Sequence, residues 1–252
     1  MLVFDFDGVL IDSVEETLVS AFNAATASLV VRVEDAGKNF VQLFRRNRFV
    51  ARSAGEMVLL AHWCLEQAEG SPVAVIDREA FVAWMQQAKE TSLDCERKLF
   101  EARTRLAEAH TAKWLALSKP YQPIFGFIKR CDNLETVILT RKDKRAVLEI
   151  GKHYGLELKR ENVYAGDGGV GKIENLEAIF KRFTADKITF VDDSITNLLE
   201  LRQHRDAATL ELLHANWGYV GEGDIKLAAD AGIRSLSQEE LQEVIKRHHY
   251  IC

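Results

Sequence analysis

The stretch Leu2-Val3-Phe4-Asp5-Phe6-Asp7-Gly8-Val9 decides how this chain is read. Leu2 to Phe6, a short apolar run that ends in Asp-Gly, predicts a buried strand with a turn after it. Working outward, the same texture returns only in the second half of the chain. There strands are predicted at Thr136 to Leu139, Val163 to Ala165, Ile188 to Val191 and about Ala208 to Leu213. Helical patterns separate them at Lys142 to Tyr154, Asn175 to Phe183, about Ile195 to Arg205, and Gln238 to Lys246. Strands alternating with helices predict an α/β fold, a Rossmann-like parallel sheet flanked by helices on both faces.

Between the first strand and this alternating half the texture is helical. Val14, Leu18, Phe22 and Ala25 recur at helical spacing, as do Leu99, Ala102, Leu106 and Ala109. Gly37, Gly55 and Gly70-Ser71-Pro72 are read as breaks between helices. Two of the three prolines, Pro120 and Pro123, stand together where the helical texture stops, which suggests a boundary. The predicted division is residues 1–13 with 121–252 as the α/β core, and residues 14–120 as an all-helical domain inserted after the first strand.

Bulk properties narrow the function. A net charge of -5 and a pI near 5.9 argue against nucleic acid as the main partner, because phosphate backbones need a basic face. No segment offers the roughly 18 uninterrupted apolar residues of a membrane span, and the start of the chain has no basic region ahead of a long apolar run. A cytoplasmic protein is expected. The four cysteines, Cys64, Cys95, Cys131 and Cys252, show no metal-binding spacing, and reduced thiols are expected. Oligomeric state is not legible.

In a parallel sheet the residues just after each strand line the site. After the first strand come Asp5 and Asp7, a carboxylate pair that is costly without a cation or proton between its members. After Ile188 to Val191 come Asp192 and Asp193. Together they describe an oxygen-lined pocket suited to magnesium. Thr140 closes the second strand with a hydroxyl able to bind an anion, and Lys172 opens a later helix. A carboxylate nucleophile, a metal, a hydroxyl and a lysine are the parts of phosphoryl transfer through an aspartyl-phosphate.

These residues carry a family resemblance. The run from Val3 to Ser13 resembles the first motif of the haloacid dehalogenase superfamily; Ile138 to Lys142 resembles the second, Lys172 the third, and Phe190 to Ser194 the fourth, in the family's order. Trp217-Gly218-Tyr219 and the region from Ala229 to Leu241 resemble phosphoglycolate-phosphatase-like members. The likeness covers residues 1–13 and about 124–252, while the helical middle is similar in position to the family's cap.

The resemblance implies that Asp5 attacks phosphorus. Asp7 protonates the leaving oxygen, then activates water, and lends its carbonyl to magnesium. Thr140 and Lys172 hold the transferring phosphoryl group, and Arg141 is a further candidate for binding it. Asp5, Asp7, Asp192 and Asp193 are the candidate metal ligands, Asp193 being the expected direct one of the last pair. An acidic residue at position 7 favours phosphate esters over haloacids. Asn197 departs from the family's pattern, in which an aspartate often stands four residues after the metal ligand.

Other readings compete. Gly166 to Lys172 fits the first part of a P-loop, but Ile173 replaces the Ser or Thr that would hold magnesium. Either Asp192 or Asp193 could cap the following helix. Arg45, Arg46, Arg48 and Arg52 could be a solvated face, although Arg45 and Arg48 are candidates for recognising the rest of a substrate. The histidines suggest no role. The expected function is a magnesium-dependent phosphatase acting on a small phosphorylated metabolite. The alternatives are a phosphomutase of the β-phosphoglucomutase type and a catalytically silent binding protein.

Overall fold

The structure, a computed structural model, describes residues 1–70, 74–131, 134–183, 187–204 and 207–247. It divides into two compact units: Met1–Asp12 with Lys119–Cys252, and Ser13–Ser118.

The first unit is built on β1 (Leu2–Phe4), β2 (Ile11–Asp12), β3 (Lys119–Pro120), β4 (Val137–Leu139), β5 (Val163–Tyr164), β6 (Ile188–Asp192), β7 (Leu210–Ala215) and β8 (Arg234–Leu236). Six of these form one sheet in the order β5-β4-β1-β6-β7-β8. Every neighbouring pair in it is parallel. The apolar runs read from the sequence are its inner strands. Val3, Val137, Leu139, Ile188 and Phe190 form one buried cluster with helix residues Leu176, Ile179, Leu198 and Leu201. On the opposite face Leu2, Phe4, Ile138 and Val191 are buried as well, the expected two-sided burial of a parallel sheet.

Strand order fixes where a site can form. From β1 the chain builds outward through β4 to β5, then crosses back and starts β6 on the other side of β1. Where the order reverses, the connections diverge and leave a crevice beyond the carboxyl ends of the strands. Asp5 follows β1 directly, and Asp192 ends β6. The Asp5 N–H donates to the Val191 carbonyl at 2.8 Å, so the two acidic segments are tied side by side.

The sequence reading missed three strands. β8 is a three-residue edge strand beginning with an exposed arginine. β2 and β3 are two-residue strands paired antiparallel, Ile11 with Pro120 and Asp12 with Lys119. The first strand also stops at Phe4, not at Phe6, because the chain turns at once into Asp5 to Gly8. The helix read to begin at Lys142 starts at Lys144, with Asp143 as its cap. Arg205, where another helix was read to end, lies outside the described residues.

The second unit contains only helices and turns among its described residues. They are α1 (Val14–Thr26), α2 (Lys38–Asn47), α3 (Ala54–Gln67), α4 (Arg78–Met85), α5 (Ser92–Ala109) and α6 (Thr111–Ala116). Its centre holds one buried ionic cluster. Glu16 on α1 accepts from Arg103 Nε on α5 at 2.8 Å, Ser20 Oγ at 2.8 Å and Trp114 Nε1 on α6 at 3.2 Å. A buried charge is tolerable only when paired in this way.

Gly37 separates helices as expected, but Gly55 lies inside α3. A Cβ there would stand 1.9 Å from the Ser92 carbonyl oxygen, so the glycine serves close helix packing. Ser71 and Pro72 lie outside the described residues. Pro120 belongs to β3, and Pro123 opens α7 (Gln122–Lys129), where a missing N–H costs nothing. The remaining helices, all in the first unit, are α8 (Lys144–His153), α9 (Lys172–Arg182), α10 (Ile195–Arg202), α11 (Asp224–Asp230) and α12 (Gln238–Arg247). None of the described helices is long and apolar enough to cross a membrane.

Cys64 and Cys95 are buried free thiols. Cys131 is disulfide-bonded, so the expectation of reduced thiols fails there. Cys252 lies outside the described residues.

Candidate active site

The carboxyl ends of β1, β4 and β6 bring four of the read residues into contact. Lys172, the first residue of α9, is buried and donates through Nζ to Asp5 Oδ2 at 2.8 Å and to Asp192 Oδ2 at 2.6 Å. Thr140 adds a hydrogen bond to Asp5. The other Asp5 oxygen, Oδ1, accepts the Phe6 N–H at 2.7 Å. Oxygens of Asp5, Asp192 and Asp193 lie within 4.8 Å of one another, and all three residues are buried.

Electrostatics follow from this burial. Asp5 is pushed up to about 6, chiefly by loss of water. The Lys172 ammonium pulls it back down, and the Asp192 charge adds to the rise. Burial alone would lower Lys172, but Asp192 and Asp5 outweigh it and hold the ammonium above the ordinary lysine value.

Asp192 and Asp193 divide their work. Asp192 takes Lys172 and the Asn197 Nδ2–H (3.1 Å) on Oδ2, and the Ser194 N–H (2.9 Å) on Oδ1. Neither aspartate caps α10; that residue is Ser194. Asn197 thus has a physical reason to be an amide, since an ionised aspartate there could not donate to Asp192. Asp193 Oδ2 accepts the Tyr219 N–H at 2.6 Å.

Asp7 lies on a different tether. Its Oδ2 is 3.4 Å from Lys142 Nζ, and its Oδ1 is buried with no hydrogen-bond partner. Gly8, at φ +83°, turns the chain away immediately afterwards. A Cβ on Gly8 would fall 2.1 Å from Asp193 Oδ2, so only glycine lets the two acidic segments approach.

Sequence reasoning missed two contributors. Lys142 was taken as the start of a helix, yet it stands in the loop between β4 and α8. Its position at a strand's carboxyl end was the available signal. His214 on β7 is buried; its Nε2 is 3.1 Å from the Asp193 carbonyl and its Nδ1 2.8 Å from Ser235 Oγ. A carbonyl only accepts, so Nε2 carries the proton and Nδ1 accepts from the serine. Burial holds this imidazole below its usual value, against the pull of the Asp193 carbonyl. The segment after β7 contains Trp217-Gly218-Tyr219, which the sequence already singled out. Trp217 Nε1 donates to the Val9 carbonyl at 3.1 Å and Tyr219 Oη to Asp12 at 3.1 Å, which clamps the first motif.

Three candidates are engaged with other partners. Arg141 turns its guanidinium to Glu200 at 3.4 Å. Arg45 pairs with Glu15 at 2.6 Å, and Arg48 donates to the Ala51 carbonyl at 2.9 Å, both within the helical unit. Gly168 and Gly169 of the P-loop-like run have positive φ with open space around them. They form a turn ahead of α9, whose Lys172 is engaged with the carboxylates.

The donor set fits a hard divalent cation. All its ligand-capable atoms are carboxylate oxygens, which suit magnesium. Four aspartates (5, 7, 192 and 193) against two ammonium groups (Lys142 and Lys172) leave two negative charges for a cation to balance.

Residues 1–205 match the haloacid dehalogenase-like hydrolase family. No curated protein matches the chain. Among solved structures, a "predicted phosphatase" from Clostridium acetobutylicum is similar with a TM-score of 0.59 at 16% identity, covering 98% of this chain and 97% of that one. A haloacid dehalogenase-like family hydrolase from Streptococcus pneumoniae gives a TM-score of 0.54 at 11% identity, with 97% of each chain covered. A "predicted phosphoglycolate phosphatase" from Haemophilus somnus gives 0.53 at 16% identity, covering 87% and 86%. At these identities the likeness establishes the fold.

Proposed function

The chain belongs to the haloacid dehalogenase-like hydrolase family and is a hydrolytic enzyme, and from that premise we propose that it is a magnesium-dependent phosphatase of small phosphorylated metabolites. One observation carries the phosphatase reading. Asp5 and Asp7 each stand beside their own buried ammonium, and Asp7 keeps one buried oxygen without a partner. Hydrolysis of a phosphate ester needs both carboxylates: one attacks phosphorus, and the other gives a proton to an alkoxide.

In this reading Asp5 attacks phosphorus through Oδ2, the oxygen beside Lys172. Lys172 and Thr140 then neutralise charge on the transferring group, and Asp7 acts as acid and later as base. Asp5, Asp193 and the Asp7 carbonyl would hold magnesium. Asp192 would act at one remove, since Lys172, Asn197 and the Ser194 N–H already occupy it. When bound, the ion supplies positive charge to the phosphoryl oxygens. Arg141 would have to leave Glu200 to reach a substrate. The helical unit takes the part of a cap that selects the substrate, Arg45 and Arg48 being its candidate contacts. The proposed place of action is the cytoplasm.

The test is phosphate release from a panel of phosphorylated metabolites, with and without magnesium. Magnesium-dependent turnover of at least one member is expected. Absence of turnover across the panel and on p-nitrophenyl phosphate would refute the reading.

A further inference from the structure

Lys142 ends the second motif with no role assigned to it, and its side chain is fully buried. An ammonium is costly to bury unless something nearby needs it. Its backbone is held at two points: its N–H donates to Thr140 Oγ1 at 3.3 Å, and its carbonyl accepts the Gly166 N–H at 3.2 Å. Gly166 is itself required there, because a Cβ would stand 2.5 Å from the Arg141 carbonyl oxygen. The lysine is therefore rooted in the wall that carries Thr140, and its ammonium stands 3.4 Å from Asp7 Oδ2. The two oxygens of Asp7 are thereby made unlike, since Oδ1 is buried and has no partner.

We propose that Lys142 is a positioning residue for Asp7, holding Oδ2 so that Oδ1 is the oxygen that gives and takes the proton. This rests on the phosphatase reading above. In the first half-reaction Asp5 Oδ2 bonds to phosphorus as the ester P–O bond breaks. The bonding electrons leave on the alcohol oxygen, which takes the proton from Asp7 Oδ1. In the second half-reaction a water oxygen bonds to phosphorus, the Asp5–phosphorus link breaks, and Asp7 Oδ1 takes the proton from that water. Lys142 exchanges no proton; it keeps the carboxyl from rotating away.

A misplaced acid matters only where the leaving oxygen needs its proton. An alkyl phosphate needs it, whereas p-nitrophenolate leaves unassisted. The informative quantity is kcat/KM, which ends at the first irreversible step and so excludes hydrolysis of the intermediate. Lys142→Met should lower kcat/KM about a hundredfold on an alkyl phosphate from the metabolite panel, and less than about threefold on p-nitrophenyl phosphate. Lys142→Arg, which keeps the charge, should recover most of the alkyl activity. Equal losses on the two substrates, or no loss on either, would overturn the assignment. If Lys142→Met does not fold, Lys142→Arg and Lys142→Gln decide the same ratio. A wild-type protein inactive on every phosphate refutes the phosphatase reading itself; an active wild type whose variants lose both substrates equally refutes only the role of Lys142.

Discussion

Asp5 stands between opposing influences, and its ionisation shows which one governs the metal-free protein. Burial raises it to about 6 despite the Lys172 ammonium. The folded value therefore lies above the unfolded one, and between roughly pH 4 and 6 the folded chain holds a proton that the unfolded chain has lost. A cation must displace that proton, so magnesium affinity should fall as pH drops below 6. Calorimetric titrations at pH 7.5 and pH 5.0 should show weaker binding at the lower pH, and equal affinities would contradict the protonation. Asp5→Asn leaves a side chain of the same shape that cannot attack phosphorus. It should lower turnover by roughly a thousandfold or more while leaving the unfolding transition cooperative. His214 and Lys142 show what the sequence could not convey at this scale. Each is a single residue whose partner, Asp193 or Asp7, lies far away along the chain, and only the folded sheet brings them together.

Elements were legible in proportion to their burial. β1 and β4 are unbroken apolar runs, β6 is mostly apolar and buried throughout, and all three stood out from the sequence. β8 opens with an exposed arginine and carries one buried residue, and β2 and β3 are two residues each, too short for any periodicity. The turn after β1 was legible as Asp-Gly, but the reason for its glycine was not. Gly8→Ala would force a left-handed conformation costing about 1–2 kcal/mol and drive a methyl into Asp193 Oδ2. Denaturant unfolding should show at least that loss. Magnesium affinity should fall with it, because Asp193 must move. Unchanged affinity would mean that Asp193 is not a ligand. Gly55 presents the same lesson in the helical unit, where a residue read as a helix break proved to be a packing contact against Ser92.

The chain divides into two compact units, and the helical one holds a buried ion pair. Glu16→Ala would remove the carboxylate that pairs with the buried Arg103 and should destabilise that unit by about 3–5 kcal/mol. The change should appear as an earlier first transition in calorimetry, with the second transition, from the sheet unit, unmoved. A single merged shift would show that the units unfold together. The position of β1 has a further consequence, for synthesis. Residues 2–4 leave the ribosome well before their neighbours β4 and β6, which begin at Val137 and Ile188. The helical unit, contiguous from Ser13 to Ser118, can form while translation continues. The central strand meanwhile waits, apolar and without its neighbours. Nascent chains halted before residue 188 should therefore be the ones that chaperones hold, and chains released after β6 has emerged should escape them.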